Sequence, residues 1–171
     1  MAILLENSKS PLFIVTGASG TGKSTVVPYL REMLDNFDVF DIDVISEDIG
    51  DWQKLKNVWL KIASSIAKSH RMTVLCGTMM PWDVEKCDNY QDFNHIYYLN
   101  LHCDDETREK RLSKRGWSQE LIEEHKHFAK WLLENAEKAY SPPMPIVHTS
   151  NSNVNEVALK IKNWVLEVLD H

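Results

Sequence analysis

Apolar residues fall along this chain in short solid runs, separated by longer stretches at helical spacing. Leu12–Val15 is the first run, closed by glycines, and reads as a strand buried on both faces. Val26, Val27, Leu30 and Leu34 follow at helical intervals. They predict a helix opening after Lys23, with Pro28 in its first turns, where a missing N–H costs least. "FDVFDID" alternates and is aromatic and β-branched, which predicts a second strand ending at Asp43. Asp51 is placed to cap a helix with the seam Trp52, Leu55, Trp59, Ile62 and Ile66. "RMTVLCG" and "HIYYLNLH" read as the third and fourth strands. A charged helix follows from Asp104 to Ser113, then a longer one from about Ser118 to Tyr140 carrying Leu121, Ile122, Phe128, Trp131 and Leu132. "SPPMP" breaks it, "IVHTS" is a fifth strand, and "VNEVALKIKNWVLEVL" a closing amphipathic helix.

Strand and helix thus alternate from end to end. The expected architecture is α/β: three α/β/α layers around a mostly parallel five-stranded sheet with right-handed crossovers. No linker-like stretch divides it, so residues 1–171 form one domain, with a small lid around 114–120. In such sheets ligands bind beyond the carboxyl ends of the strands. The informative segments are therefore 16–25, 41–52, 77–83, 102–118 and 149–153.

Composition narrows the setting. The chain has 171 residues, 43% hydrophobic and 26% charged, which suits a soluble globular domain. The start, "MAILLENSKS", has no basic opening and no cleavage-like end, and no apolar run approaches the roughly 20 residues of a membrane span. The expectation is a cytoplasmic protein without membrane contact. Cys76, Cys87 and Cys103 have no paired spacing, which argues against disulfides and zinc. A net charge of −6 disfavours a nucleic-acid partner. Oligomeric state leaves no mark in the sequence.

The most specific feature is Gly17-Ala18-Ser19-Gly20-Thr21-Gly22-Lys23-Ser24, which satisfies G-x-x-x-x-G-K-[ST] between a strand and a helix. The glycines let backbone N–H groups converge on an anion. Lys23 supplies a point charge for the β- and γ-phosphates, the Ser24 hydroxyl suits Mg²⁺, and Thr25 can reach an inner phosphate. Neither the third strand nor the fourth ends in an acid. The second does, at Asp41-Ile42-Asp43. Residues two apart on a strand face the same way, so both carboxylates are expected near Lys23. One would hold Mg²⁺ and the other accept a proton from a hydroxyl, with Asp43 favoured for its outer position.

Arg108, Arg111 and Arg115 share one face of the charged helix. Arg111 and Arg115, beside a turn at Gly116, are candidates to close over phosphates. Arg108 reads as part of a solvated face paired with Asp104, Asp105, Glu106 and Glu109. His125 and His127 cannot both point one way along a helix and also read as solvated.

The loop "GASGTGKST", the "DID" and the "RLSKRG" segment resemble the small P-loop kinases of metabolites and nucleotides, such as shikimate, gluconate, nucleoside and nucleoside-monophosphate kinases. So does "HTSNSNVNEVALKIKNWV", with its strand, Thr/Ser-rich loop and last helix. The resemblance implies the P-loop nucleoside triphosphate hydrolase fold, ATP and Mg²⁺ as cofactors, and a small-molecule acceptor. It further implies an adenine contact at Thr149, Ser150 and Asn151, lid arginines at Arg111 and Arg115, and a substrate or base carboxylate at Asp43. The pattern departs from these kinases after Asp43. "VISEDIGDW" has no arginine to clamp an anionic acceptor, with only Arg71 and Lys54 as substitutes. The reading is therefore phosphoryl transfer to a hydroxyl of a nucleoside-like or sugar-like molecule; a plain ATPase or switch and a nucleoside-monophosphate kinase are the alternatives. Gly77 and Thr78 after the third strand face the acceptor in that resemblance. Trp52 and Trp82 offer stacking surfaces there, whereas Trp59, Trp131 and Trp164 read as core.

Overall fold

The computed structural model describes residues 9–171, so most of the amino-terminal stretch read above lies outside the described residues. Five parallel strands lie in the order β2-β3-β1-β4-β5. They are β1 (Leu12–Thr16), β2 (Phe37–Asp41), β3 (Met72–Cys76), β4 (Ile96–His102) and β5 (Ile146–His148). The helices are α1 (Val27–Met33), α2 (Ser46–Ile49), α3 (Trp52–Ala67), α4 (Pro81–Glu85), α5 (Asp105–Lys114), α6 (Gln119–Asn135) and α7 (Val154–Leu169). This is the expected three-layer α/β/α arrangement.

The central strand β1 is buried throughout because both of its faces are covered. Phe13 and Val15 point to one side, where Leu30 and Leu34 at α1 and Ile161 and Val165 of α7 close a core. Leu12 and Ile14 point to the other, against Leu55, Trp59 and Leu60 of α3. A smaller cluster of Met80, Leu132, Ala136, Tyr140 and Met144 seats α6. The caps follow the sequence: Asp51, Asp104, Ser118 and Asn153 each accept a backbone N–H in the first turn of α3, α5, α6 and α7.

Several elements depart from expectation. β2 stops at Asp41, two residues early. The Asp41 carboxylate accepts the Asp43 N–H at 3.0 Å and bends the chain into a 3-10 turn, Ile42–Ile45. Asp41 and Asp43 are thus paired by a turn rather than by alternation along a strand. α1 starts only at Val27, because residues 23–26 form turns that keep the phosphate loop open. α6 ends at Asn135 rather than Tyr140; the Asn135 side chain donates to the Trp131 carbonyl and competes for the last turn. Leu121, one of the apolar positions of α6, is 45% exposed, and Trp52, read both on the α3 seam and as a stacking surface, is 64% exposed. α2, α4 and the 3-10 turns are too short for periodicity to reveal.

Candidate phosphate-transfer site

The loop after β1 is gripped by its carbonyls. Gly17 O accepts from Thr78 Oγ1 at 2.7 Å, and Ala18 O from Lys23 Nζ at 2.8 Å. Ser19 O accepts from Arg108 Nη1 at 2.6 Å, and Gly20 O from Arg111 Nη1 at 2.8 Å, with Cys103 Sγ at 3.5 Å. Four consecutive carbonyls are each held by a side chain. With the carbonyls drawn away, the N–H groups are left for an anion. Among the described residues, the N–H groups of residues 20–25 donate to no protein acceptor. The buried Thr21 hydroxyl also lacks a partner. Gly20 and Gly22 sit at φ +92° and +93°, a conformation side chains rarely adopt. This is the donor set a polyphosphate requires, and Ser24 and Thr25 add exposed hydroxyls beside it.

Arg108 corrects the sequence reading. It is fully buried rather than solvated, and spans Ser19 O and Cys103 O, the latter at 2.9 Å. Two charge-assisted bonds offset part of the cost of burying a guanidinium, a cost that makes sense only if the loop must be held rigidly. His125 is a second correction. It is half-buried, and its Nδ1 accepts the Ser19 N–H at 3.2 Å, while Trp117 meets its ring edge-on at 5.0 Å. The sequence carried a signal for it. Ile122 and Ala129, three before and four after, are buried, so His125 shares their inward face.

Lys23, Ser24, Asp43 and Arg115 line one small cavity of about 70 Å³ with Ser19 and Gly20. Burial pushes the Lys23 ammonium down to about 8; Asp43 opposes this, and Arg108 and Arg115 add to it. Asp43 is pushed above the usual carboxylate range by desolvation first and by Asp41 second, against the pull of Lys23. Ammonium, hydroxyl, carboxylate and guanidinium therefore meet beside free backbone donors. Ser24 and Asp43 have the hard oxygens that would suit Mg²⁺.

A second cavity of about 360 Å³ adjoins the loop. Thr21, Gly22, Thr25, Arg111, Lys114 and Arg115 bound it on one side, and Thr149, Ser152, Val154 and Val157 on the other. Of the loop expected to touch adenine, Thr149 lines this space. Ser150 does not; its hydroxyl accepts the Asp104 N–H at 2.8 Å, and Asn151 is exposed. Ser152, absent from the sequence reading, takes their place.

On the acceptor side the expected residues disperse. A Cβ on Gly77 would lie 2.1 Å from Ile42 Cγ1, so its close approach serves the turn that carries Asp43 rather than a ligand. The Thr78 hydroxyl is spent on Gly17 O. Trp82 packs edge-on against Trp131 at 5.6 Å, and Trp52 stands exposed at the first position of α3. Trp59 is core as expected, its indole donating to Ile42 O at 2.8 Å. Arg71 is tied to Asp38 near the opposite end of β2, and Lys54 borders a separate polar hollow on α3, so neither replaces an anion clamp at Asp43. The three cysteines are buried and free. Among the described residues, no helix is long and apolar enough to cross a membrane.

Comparison with known proteins agrees with this geometry. The profile of a family described as an AAA domain matches residues 14–139. Shikimate kinase from Acinetobacter baumannii, solved with shikimate, superposes with a TM-score of 0.58 at 17% identity, covering 98% of each chain. A sugar kinase from Janibacter gives 0.62 at 14% identity, over 92% of this chain and 95% of that one. The tunicamycin resistance protein of Deinococcus radiodurans gives 0.67 at 16%, over 92% and 96%. No curated protein sequence matches significantly. With its profile match across most of the chain and a phosphate loop built on the same parallel sheet, the chain belongs to this AAA-domain family and has the fold of the small P-loop kinases.

Proposed function

We propose that the protein transfers the γ-phosphoryl group of ATP to a hydroxyl of a small, uncharged acceptor of nucleoside-like or sugar-like character. The observation that carries this reading is the shared cavity of Lys23, Ser24, Asp43 and Arg115, set against donors no protein group uses. The loop amides and Lys23 hold the phosphates. Thr149, Ser152 and the valines beside them bound the space for the base and ribose. Mg²⁺, held through Ser24 and Asp41, the carboxylate paired with Asp43, would neutralise charge on the transferring group. Asp43 takes the proton from the acceptor hydroxyl, its carboxyl being raised toward the range useful for a general base. Arg111 fixes Gly20 and borders the nucleotide space, while Arg115 faces the phosphate end. The turn between α5 and α6, residues 115–118, is the moving edge of a lid that excludes water.

Neither Arg71 nor Lys54 reaches Asp43, and the two cations that share its cavity, Lys23 and Arg115, are taken up by the phosphates of ATP in this reading, which favours an uncharged acceptor over a monophosphate or carboxylate. The test is ADP release with ATP and Mg²⁺ alone, then with nucleosides, sugars, shikimate-like acids and nucleoside monophosphates. The proposal expects a neutral hydroxyl compound to raise turnover well above the ATP-only rate. Stimulation by monophosphates alone would move the enzyme to the nucleotide kinases. Turnover that no acceptor raises would make it an ATPase.

A further inference from the structure

We propose that His125 is a positioning residue for the phosphate loop: its neutral imidazole, reaching in from α6, holds the Ser19 peptide in the orientation that nucleotide binding requires. This rests on the reading that the loop takes the phosphates of ATP.

The Ser19 N–H is the one backbone donor from Ser19 to Thr25 that a protein atom accepts, among the described residues. The carbonyl of the same residue goes to Arg108, and the next carbonyl to Arg111. The Ser19–Gly20 unit is therefore held from α5 by its two oxygens and from α6 by its nitrogen. The two helices are themselves joined by Lys126 on Glu109 at 2.8 Å, so they act on the loop as one hairpin. Without the histidine, the peptide preceding Ser19 keeps no side-chain restraint from α6. Its rotation would disturb Gly20, whose φ of +92° leaves the chain little steric resistance to reorienting.

Accepting at Nδ1 dictates the state of the ring. The proton must sit on Nε2, and the imidazole must be neutral. A protonated ring would set a donor against a donor. The charged groups around it are Lys23 of the loop, Arg108 of α5 and Glu124 on α6 itself; the Trp117 and Phe128 rings complete its surroundings. Burial first, and then two cations against one carboxylate, hold His125 below its ordinary range. The neutral form that the hydrogen bond needs is thus the form the site favours before nucleotide enters.

The test uses four full-length proteins: wild type, His125→Asn, His125→Gln and His125→Ala. Asn places its carbonyl oxygen where Nδ1 lies; Gln places it near Nε2. ATP dissociation constants are measured by calorimetry from about pH 5.5 to 8.5, with melting temperatures and the ¹⁵N shifts of the ring in wild type. Near pH 8 the Ala and Gln variants are expected to bind ATP roughly tenfold more weakly, and Asn within about threefold of wild type. On acidification wild type loses affinity relative to Asn, the titration of Lys23 being common to both. The ring nitrogens report Nδ1 as an unprotonated acceptor. Ala binding ATP as tightly as wild type at pH 8 overturns the proposal. So does a wild-type affinity that rises relative to that of Asn on acidification, because the imidazolium would then be acting on the phosphates directly. A loss shared equally by Asn, Gln and Ala also overturns it. Wild type that binds no ATP at any pH refutes the nucleotide reading itself, and the proposal with it; that result is distinct from any difference among the variants.

Discussion

The two halves of the site are built differently. On the nucleotide half, four carbonyls are tied to Thr78, Lys23, Arg108 and Arg111, one amide to His125, and a cavity of about 360 Å³ stands open next to them. On the acceptor half, Asp43 sits on a 3-10 turn, Val44 beside it is 71% exposed, and Trp52 and Trp82 are 64% and 45% exposed. Gly77 and Thr78, expected on the acceptor side, pack against the Asp43 turn and hold the phosphate loop. The contrast is one of preorganisation. A cradle already rigid before its ligand arrives loses no binding energy in ordering itself. In the proposed reaction the exposed aromatic walls of the acceptor half would be ordered only when an acceptor binds.

The largest expected effect lies on the rigid half. Lys23→Ala should weaken ATP binding and turnover by at least about a hundredfold, measured by calorimetry and ADP release. The fold should stay intact. The same lysine carries a stability signature of opposite sign. Its pKa in the folded protein is lowered from 10.5 to about 8, so between those values the unfolded chain holds more protons than the folded one. Stability of nucleotide-free wild type should therefore rise with pH across that window relative to Lys23→Met, and the neutral variant should be the more stable below pH 8. Melting curves of the two proteins against pH check the sign. A fully active Lys23→Ala protein would remove the basis of the functional reading.

Asp43→Asn should divide the halves. Turnover should fall by about 10² to 10⁴, the range for a lost general base, while ATP affinity stays within a few fold. In wild type the acidic limb of the rate profile follows a carboxyl that burial and Asp41 hold above its ordinary value. Activity is present above that pKa and is lost as pH falls through it, and the Asn variant should lack the limb. An Asn variant with normal turnover would transfer the role to Asp41.

The sequence was legible where one local rule decides a feature. The phosphate loop follows from glycine spacing between a strand and a helix. The layered sheet follows from alternating runs, down to the complete burial of β1. Asp51 could be read as a cap because a cap depends only on its own first turn. What was illegible depends on contacts between distant segments. Arg108 looks solvated beside Asp104, Asp105 and Glu109, yet its partner Ser19 is 89 residues away. The Ser19–His125 bond spans 106. Asp43 could be picked out by type but not by placement, because a side-chain bond from Asp41 ended the strand sooner than alternation implied. The close contact at Gly77 was illegible for a related reason: it is made to Ile42, which nothing local pairs with it.

That pairing gives a smaller but cleaner separation. Gly77→Ala would drive a Cβ against Ile42 and shift the turn that presents Asp43. Melting should report a loss of about 1–3 kcal/mol, the usual cost of overpacking. Turnover should drop further than ATP affinity does, since the phosphate loop itself is held from Thr78 and α5. Equal losses of affinity and turnover would mean that the two halves are mechanically one unit.

The smallest effect distinguishes the two exposed indoles. Trp82 has Trp131 edge-on at 5.6 Å and so belongs partly to the packing of α4 on α6. Trp52, at the start of α3 and 64% exposed, has little packing to lose. Trp52→Ala should therefore leave the melting temperature unchanged, whereas Trp82→Ala should lower it slightly. If the rim stacks on the acceptor, either change raises the acceptor KM by about three- to tenfold, the value of one aromatic contact, and leaves the ATP KM alone. An effect on the acceptor KM from Trp82 alone would set the acceptor between α4 and α6. An effect from Trp52 alone would set it over the Asp43 turn, where no charged side chain from Arg71 or Lys54 reaches and where the proposed uncharged acceptor would sit.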